Sequence, residues 1–255
     1  MIRIVVLCIL AATLLHAADR PARQDKPHVF LIGDSTMCDQ PANKHPMHGW
    51  GQCLPEFMAD TIVVENHARG GRSTRSFRDQ GLWQAVLERL RPGDFVLIQF
   101  GHNDQKKDEA RAAAPFGAYQ ENLRRYIRET REKGAEPILV TSVHRRVFND
   151  AGKIRNSLGE YPAAARQVAA AEQVMLVDLY AASERLFNEL GPEGTRTKVF
   201  CHLAPGDSPN YPRGRQDNSH FRVEGARLLA GLVVEAIRAG DSPLRRHLKP
   251  PEIGD

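Results

Sequence analysis

Val29-Phe30-Leu31-Ile32-Gly33-Asp34-Ser35-Thr36 is the stretch on which the reading of this chain turns. Four consecutive apolar residues predict a strand buried on both faces. Gly33 ends the run, and three small polar residues follow it. A turn of this kind lifts a serine hydroxyl out of the sheet at the carboxyl end of a strand, where open α/β sheets take up ligands. The same residues also fit a turn in which Asp34 and Ser35 only cap a following helix. Partners elsewhere in the chain must decide between the two.

Comparable apolar runs recur at Thr61–Asn66, Phe95–Phe100, Pro137–Ser142 and Val174–Asp178. Between them lie segments with helical spacing, predicted as helices near 50–60, 74–90, 116–133, 161–173 and 179–190. A last amphipathic helix is expected over 221–239. Strands alternating with helices predict a parallel sheet covered on both faces. Right-handed crossovers then favour a three-layer α/β/α sandwich of flavodoxin-like topology with five strands. The stretch 191–218 is rich in Gly, Pro, Asp and Asn and reads as irregular. One domain over 19–255 is expected, with a core of about 27–239 and a proline-rich tail at 240–255.

The first residues carry an address. A short basic start, Met1-Ile2-Arg3, precedes an almost unbroken apolar run from Ile4 to Leu15 and then His16-Ala17-Ala18. This layout predicts a signal peptide over 1–18, cleaved near Ala17 or Ala18. The mature protein is then exported, periplasmic or extracellular, with no stable membrane span; an uncleaved anchor is the alternative.

Of 255 residues, 42% are hydrophobic and 26% charged, with a formal charge of +4, which are ordinary globular values. Basic residues come as scattered pairs rather than a dense stripe, so no nucleic-acid partner is expected. Cys38, Cys53 and Cys201 remain once the leader is removed, leaving room for one disulfide. Cys38 and Cys53 are the nearest pair in sequence, and the pairing stays open. A metal hydrolase would have to draw on His220, Asp217, His202 and His144. Their spacing matches no known ligand pattern, so neither a metal nor a cofactor is expected.

Three strands end in polar, glycine-bearing segments: Gly33-Asp34-Ser35, Gly70-Gly71-Arg72-Ser73 and Gly101-His102-Asn103-Asp104. In a parallel sheet these ends share one edge. Asp217-Asn218-Ser219-His220 lies just before the last helix. A serine needs a general base, and histidine is suited to that work near neutral pH. If a helical turn carries Asp217 and His220, the i,i+3 step lets it present base and orienting carboxylate together. The plainer alternative makes Asp217 a helix cap and His220 a surface residue.

Taken in order, these four blocks resemble those of the SGNH (GDSL-like) hydrolases. Gly33-Asp34-Ser35-Thr36-Met37, Gly49-Trp50-Gly51, Gly70-Gly71-Arg72-Ser73-Thr74-Arg75-Ser76 and Phe100-Gly101-His102-Asn103-Asp104 are similar to the rhamnogalacturonan acetylesterase branch. The resemblance runs from about Val29 to Ile237. Ser219 stands where that branch often has threonine.

What the resemblance implies is a serine esterase. Ser35 is its nucleophile, His220 its base and then acid, and Asp217 the residue that orients the imidazole. The Ser35 and Gly71 N–H groups and the Asn103 amide form the oxyanion hole. Asp34, Thr36, His102 and Asp104 are expected as supports. The implied substrate is an acetylated plant cell-wall polysaccharide, above all rhamnogalacturonan or pectin. Arg72, Arg75, His144, Arg145 and Arg146 are candidates to hold its carboxylates. Other SGNH activities (acetyl-xylan esterase, lipase, thioesterase), an inactive carbohydrate-binding protein and a purely structural exported protein are the alternatives. The oligomeric state is not readable from the sequence.

Overall fold

A computed structural model describes residues 26–251. The expected signal peptide therefore lies outside the described residues. Five parallel strands form the main sheet: β1 (His28–Gly33), β3 (Val63–Asn66), β4 (Phe95–Gln99), β5 (Glu136–Val140) and β6 (Met175–Val177). Their order, β3-β1-β4-β5-β6, is the flavodoxin-like one that the sequence predicts.

Strand periodicity divides the core in two. Val29 and Leu31 of β1, with Phe95 and Leu97 of β4, face one layer, while Phe30, Ile32, Val96 and Ile98 face the other. The first layer holds α1 (Trp50–Cys53), α6 (Leu179–Gly194) and α7 (Val223–Ala239). The second holds α2 (Thr74–Asp79), α3 (Leu82–Leu87), α4 (Gln120–Glu132) and α5 (Tyr161–Glu172). Each fully buried large side chain here contributes about 1.5–3 kcal/mol relative to exposure.

Several helices are shorter than the sequence predicts. Gly81, with φ of +72°, splits the segment after Ser73 into α2 and α3. The chain leaves α1 at Cys53 for a tight turn containing Pro55. Residues 240–251 run along the surface and are anchored by Leu244 and Leu248, which are buried; Leu248 bridges to Met58.

The stretch 191–218 departs most from expectation, since part of it forms sheet. β7 (Phe200–Leu203) pairs antiparallel with β8 (Arg215–Arg222), and β2 (Met47–His48) pairs with the far side of β8. This second, three-stranded sheet is the support on which Asp217 and His220 are carried.

Candidate active site

Ser35 leaves β1 in a single helical turn. The Asp34 carbonyl accepts from the N–H groups of Met37 (3.2 Å) and Cys38 (3.0 Å). Asp34 Oδ1 accepts from Thr36 N–H at 2.9 Å and Thr36 Oγ–H at 2.8 Å, so the carboxylate caps the turn from below. Thr36 Oγ in turn accepts from Gln99 Nε2 at 2.6 Å, and Gln99 Oε1 accepts from Trp50 Nε1 at 2.7 Å. These four side chains are buried, whereas Ser35 keeps solvent access. Asp34 Oδ2 lies 3.4 Å from His102 Nδ1, too poorly aligned for a hydrogen bond. Burial alone would raise the Asp34 pKa, but His102 and the two Thr36 bonds hold it below the ordinary value.

His220 reaches this serine from the second sheet. Its Nε2 lies 2.9 Å from Ser35 Oγ and its Nδ1 2.9 Å from Asp217 Oδ2. With the proton on Nδ1, the imidazole donates to Asp217 and accepts from the serine hydroxyl. Asp217 and His220 sit on no helical turn, contrary to the sequence-based expectation. They belong to a large bulge: β8 advances five positions, Gln216 to Phe221, while β7 advances two, His202 to Phe200. The bulge closes on itself because Asp217 Oδ1 accepts from the N–H of both Ser219 and His220 at 2.9 Å. Arg215 also donates to Asp217 Oδ2, the oxygen that His220 uses. Desolvation would raise the Asp217 pKa, yet the His220 bond and charge, the Ser219 N–H and Arg215 hold it well below the carboxylate range.

Two neighbouring loops supply the remaining groups. Gly71 has φ of +78°, a left-handed conformation that glycine adopts without strain. Its loop abuts the nucleophile: a Cβ on adjacent Gly70 would lie 3.6 Å from Ser35 Cβ. Among the described residues the Ser35 and Gly71 N–H groups have no acceptor. Asn103 Nδ2 donates to the Arg72 carbonyl at 3.1 Å, which uses one of its two hydrogens. Asp104 fastens the same two loops together, accepting from Thr74 N–H at 2.9 Å and from Thr74 Oγ–H. Burial pushes its carboxyl up to about 7 despite these bonds.

None of the five candidates for substrate carboxylates lines the cleft that contains Ser35 and His220. Arg72 turns back to the Gly70 carbonyl and Gln80, and Arg75 donates to the Glu109 carbonyl. His144 is buried and stacked on Tyr180, with ring centroids 3.7 Å apart; desolvation takes its pKa down to about 4. Arg145 donates to the carbonyls of Ser157 and His102. Arg146 is a strut for the β8 bulge: its N–H donates to the Asn218 carbonyl at 2.8 Å and its guanidinium to Asn218 Oδ1. Sequence reasoning chose cations next to motifs, and the fold engages them in holding those motifs.

The cleft has a volume of about 310 Å³, within the range of small-ligand sites. Larger hollows of about 640 and 730 Å³ lie elsewhere, lined by neither Ser35 nor His220. Cys38, Cys53 and Cys201 are free thiols, all buried. Among the described residues no group of three or more His, Cys, Asp or Glu side chains is placed to hold a metal ion.

The GDSL-like Lipase/Acylhydrolase family matches residues 31–228, which span both the Ser35 turn and the His220 bulge. The chain belongs to this family. Its members are serine esterases, and a set built around an accessible serine and a histidine–carboxylate pair is what such an enzyme requires. The rhamnogalacturonan acetylesterase RhgT of Bacillus subtilis is 44% identical over 220 residues, covering 86% of this chain and 93% of that protein. The crystal structure of YxiM, also from Bacillus subtilis, superposes with a TM-score of 0.69 at 31% identity. It covers 84% of this chain and 56% of that one. An acetylxylan esterase of Geobacillus stearothermophilus shares the fold, with a TM-score of 0.60 at 20% identity, covering 85% and 96%.

Within this family frame, sequence reasoning missed Gln99 and Arg215, and quoted Trp50 and Thr74 inside the Gly49–Gly51 and Gly70–Ser76 blocks without the bonds they make to Gln99 and Asp104. Gln99 left a signal, a lone amide in the otherwise apolar run Phe95–Phe100. Arg215 left none, because its partnership with Asp217 depends on the bulge.

Proposed function

We propose that this protein is an exported acetylesterase that removes acetyl groups from a plant cell-wall polysaccharide, rhamnogalacturonan before others. The observation that carries the reading is the relay from Asp217 through His220 to Ser35, with 2.9 Å at each step. It opens on a cleft beside the two N–H groups and the amide suited to an oxyanion. The polysaccharide is supported by the 44% identity to a rhamnogalacturonan acetylesterase along nearly the full length of both chains.

In this mechanism Ser35 Oγ attacks the acetyl carbonyl carbon while His220 Nε2 takes the hydroxyl proton. The carbonyl oxygen becomes an oxyanion, met by the N–H groups of Ser35 and Gly71 and by Asn103 Nδ2–H. His220 then gives its proton to the sugar oxygen, the C–O bond breaks, and the deacetylated alcohol leaves. Water, deprotonated by His220, attacks the acetyl-Ser35 ester; its collapse releases acetate and restores the serine. Asp217 keeps the imidazole in the tautomer that accepts the serine proton and balances the imidazolium charge.

The test is acetate release from acetylated rhamnogalacturonan, pectin and xylan, with Ser35→Ala as the blank. Release from the rhamnogalacturonan should lead the panel and vanish in the variant. Equal release by Ser35→Ala removes the serine mechanism; faster release from xylan removes the substrate. Export rests on the apolar leader at 1–18, and N-terminal sequencing of secreted material should find the chain starting near Asp19. A start at Met1 refutes the cleavage.

A further inference from the structure

The cleft contains cations other than those chosen from the sequence. Lys44 comes from the loop after β1, Arg69 from the loop after β3, and both side chains are exposed at the cleft that holds Ser35 and His220. Neither makes a side-chain hydrogen bond or ion pair among the described residues, which sets them apart from Arg72, Arg75, Arg145 and Arg146. Arg215 also lines the cleft, but its guanidinium is engaged by Asp217 and lies over the Tyr211 ring at 5.1 Å. The one opposing charge in the lining is Asp39, whose carboxylate accepts from Asn66 Nδ2 at 2.7 Å.

The loop that carries Lys44 is held in place from the other side. Tyr211 Oη donates to the Lys44 carbonyl at 3.2 Å, and Asn210 Nδ2 donates to the carbonyls of Ala42 and His45. The Arg69 N–H donates to the Gly33 carbonyl at 3.0 Å, which fixes its backbone directly beside the nucleophile turn. Two cationic side chains on anchored backbones therefore line the cleft that holds Ser35, and among the described residues neither is paired with a carboxylate. An arginine fork matches a carboxylate with two parallel bonds, and a lysine supplies a point charge.

We propose that Lys44 and Arg69 form a subsite for the carboxylate of a uronate sugar next to the ester under attack. The subsite rests on the acetylesterase reading given above and deepens it, by naming which residues select an acidic polymer over a neutral one. Arg69 grips the acid group, Lys44 adds field from the opposite loop, and Asp39 turns away a second carboxylate at that rim.

Two measurements test it. In the first, kcat/KM on acetylated polyuronate is divided by kcat/KM on neutral acetylated xylan, for wild type and for Lys44→Gln/Arg69→Gln. The double variant should lower this ratio by roughly tenfold, the scale of two exposed charge contacts. The wild-type ratio should also fall as salt rises from 0.05 to about 0.5 M. A ratio within twofold of wild type overturns the subsite. The second measurement needs no turnover: Ser35→Ala protein is titrated with acetyl-free oligogalacturonate and with its carboxyl-reduced, neutral counterpart. Preference for the acid form, lost when Lys44→Gln and Arg69→Gln are added, supports the subsite, and equal binding of both forms overturns it. Failure of acetate release in wild type would count against the acetylesterase reading alone, since the titration still reads the subsite.

Discussion

Ser35 and His220 lie 2.9 Å apart, yet they arrive there on unlike supports. The serine stands on a buried stack, Trp50 to Gln99 to Thr36 to Asp34, at the end of a strand hydrogen-bonded on both sides. The histidine stands on a bulge of a small antiparallel sheet, partly exposed, held by its own carboxylate and by struts to Asn218 from Arg146 and His202. The first support draws its rigidity from the core of the whole molecule. The second is a small arm tied by its own bulge, by His202 on β7 and by Arg146 on the loop after β5. A nucleophile that must keep its place relative to its oxyanion donors gains from the former. A base that must shuttle a proton needs only correct orientation, which a nearby carboxylate supplies.

The sharpest way to break that division is to disable the orienting carboxylate while leaving its shape. Asp217→Asn keeps an oxygen for the Ser219 and His220 N–H groups but favours the wrong imidazole tautomer, so kcat should fall about 10⁴-fold. Circular dichroism should stay native. A loss of less than tenfold means that the bulge, rather than the charge of Asp217, orients His220. The wild-type carboxyl sits below its ordinary value, so its stabilisation is complete above about pH 4 and is lost as pH falls further. Wild type and Asp217→Asn should accordingly converge in Tm on acidification.

On the serine side the comparable cut is Asn103→Ala. Removing one oxyanion donor costs about 10²–10³ in kcat. The KM for the ester should change little, because the donor acts on charge that develops only in the transition state. Unaltered kcat takes Asn103 out of the site.

How much of each support was readable follows from the same division. Val29–Ser35 and Gly101–Asp104 show themselves locally, because a run buried on both faces must be apolar and its end must change character abruptly. The sheet order followed from crossover rules. The β7–β8 arm could not be read this way. Arg215–Arg222 has a single buried side chain, Phe221, and so no alternating apolar pattern. Its strand character comes from pairing with residues far away in sequence, which local propensity does not record. The same limit explains the arginines: Arg145 and Arg146 look like a free surface pair until the bulge that Arg146 braces and the His102 and Ser157 carbonyls that Arg145 ties are in view.

Arg215 offers a subtler way to sharpen the contrast, because it shares Asp217 Oδ2 with the imidazole. In Arg215→Met the Asp217 carboxylate keeps its bonds to the His220 imidazole and the Ser219 N–H, so kcat/KM should stay within roughly tenfold of wild type. A loss as large as that of Asp217→Asn would show that Arg215, rather than the bulge, holds the carboxylate in place.

The smallest effect concerns the tie between the two oxyanion loops. Asp104 is buried, its Oδ2 has no partner among the described residues, and its carboxyl is pushed up to about 7. A carboxyl raised in the native state binds a proton there that the unfolded chain has already released. Its contribution therefore lowers stability as pH climbs from about 4 to about 7, and is constant above that. Asp104→Asn keeps an acceptor for both Thr74 donors and cannot ionise. Whatever its offset from wild type, the Tm of the variant minus that of wild type should rise steadily between pH 4 and 7 and then level off. Parallel Tm curves across that range would falsify the assignment. The slope matters for the comparison because Asp104 links the Asn103 loop to Thr74, the residue that opens α2 behind Gly71. On the serine side even the tie between loops is a buried group whose charge state is set by the core. On the histidine side the equivalent ties, Arg146 and His202 to Asn218, are exposed contacts. For that reason the pH dependence of stability near neutrality should belong to the rigid half of the site and be insensitive to changes in the arm.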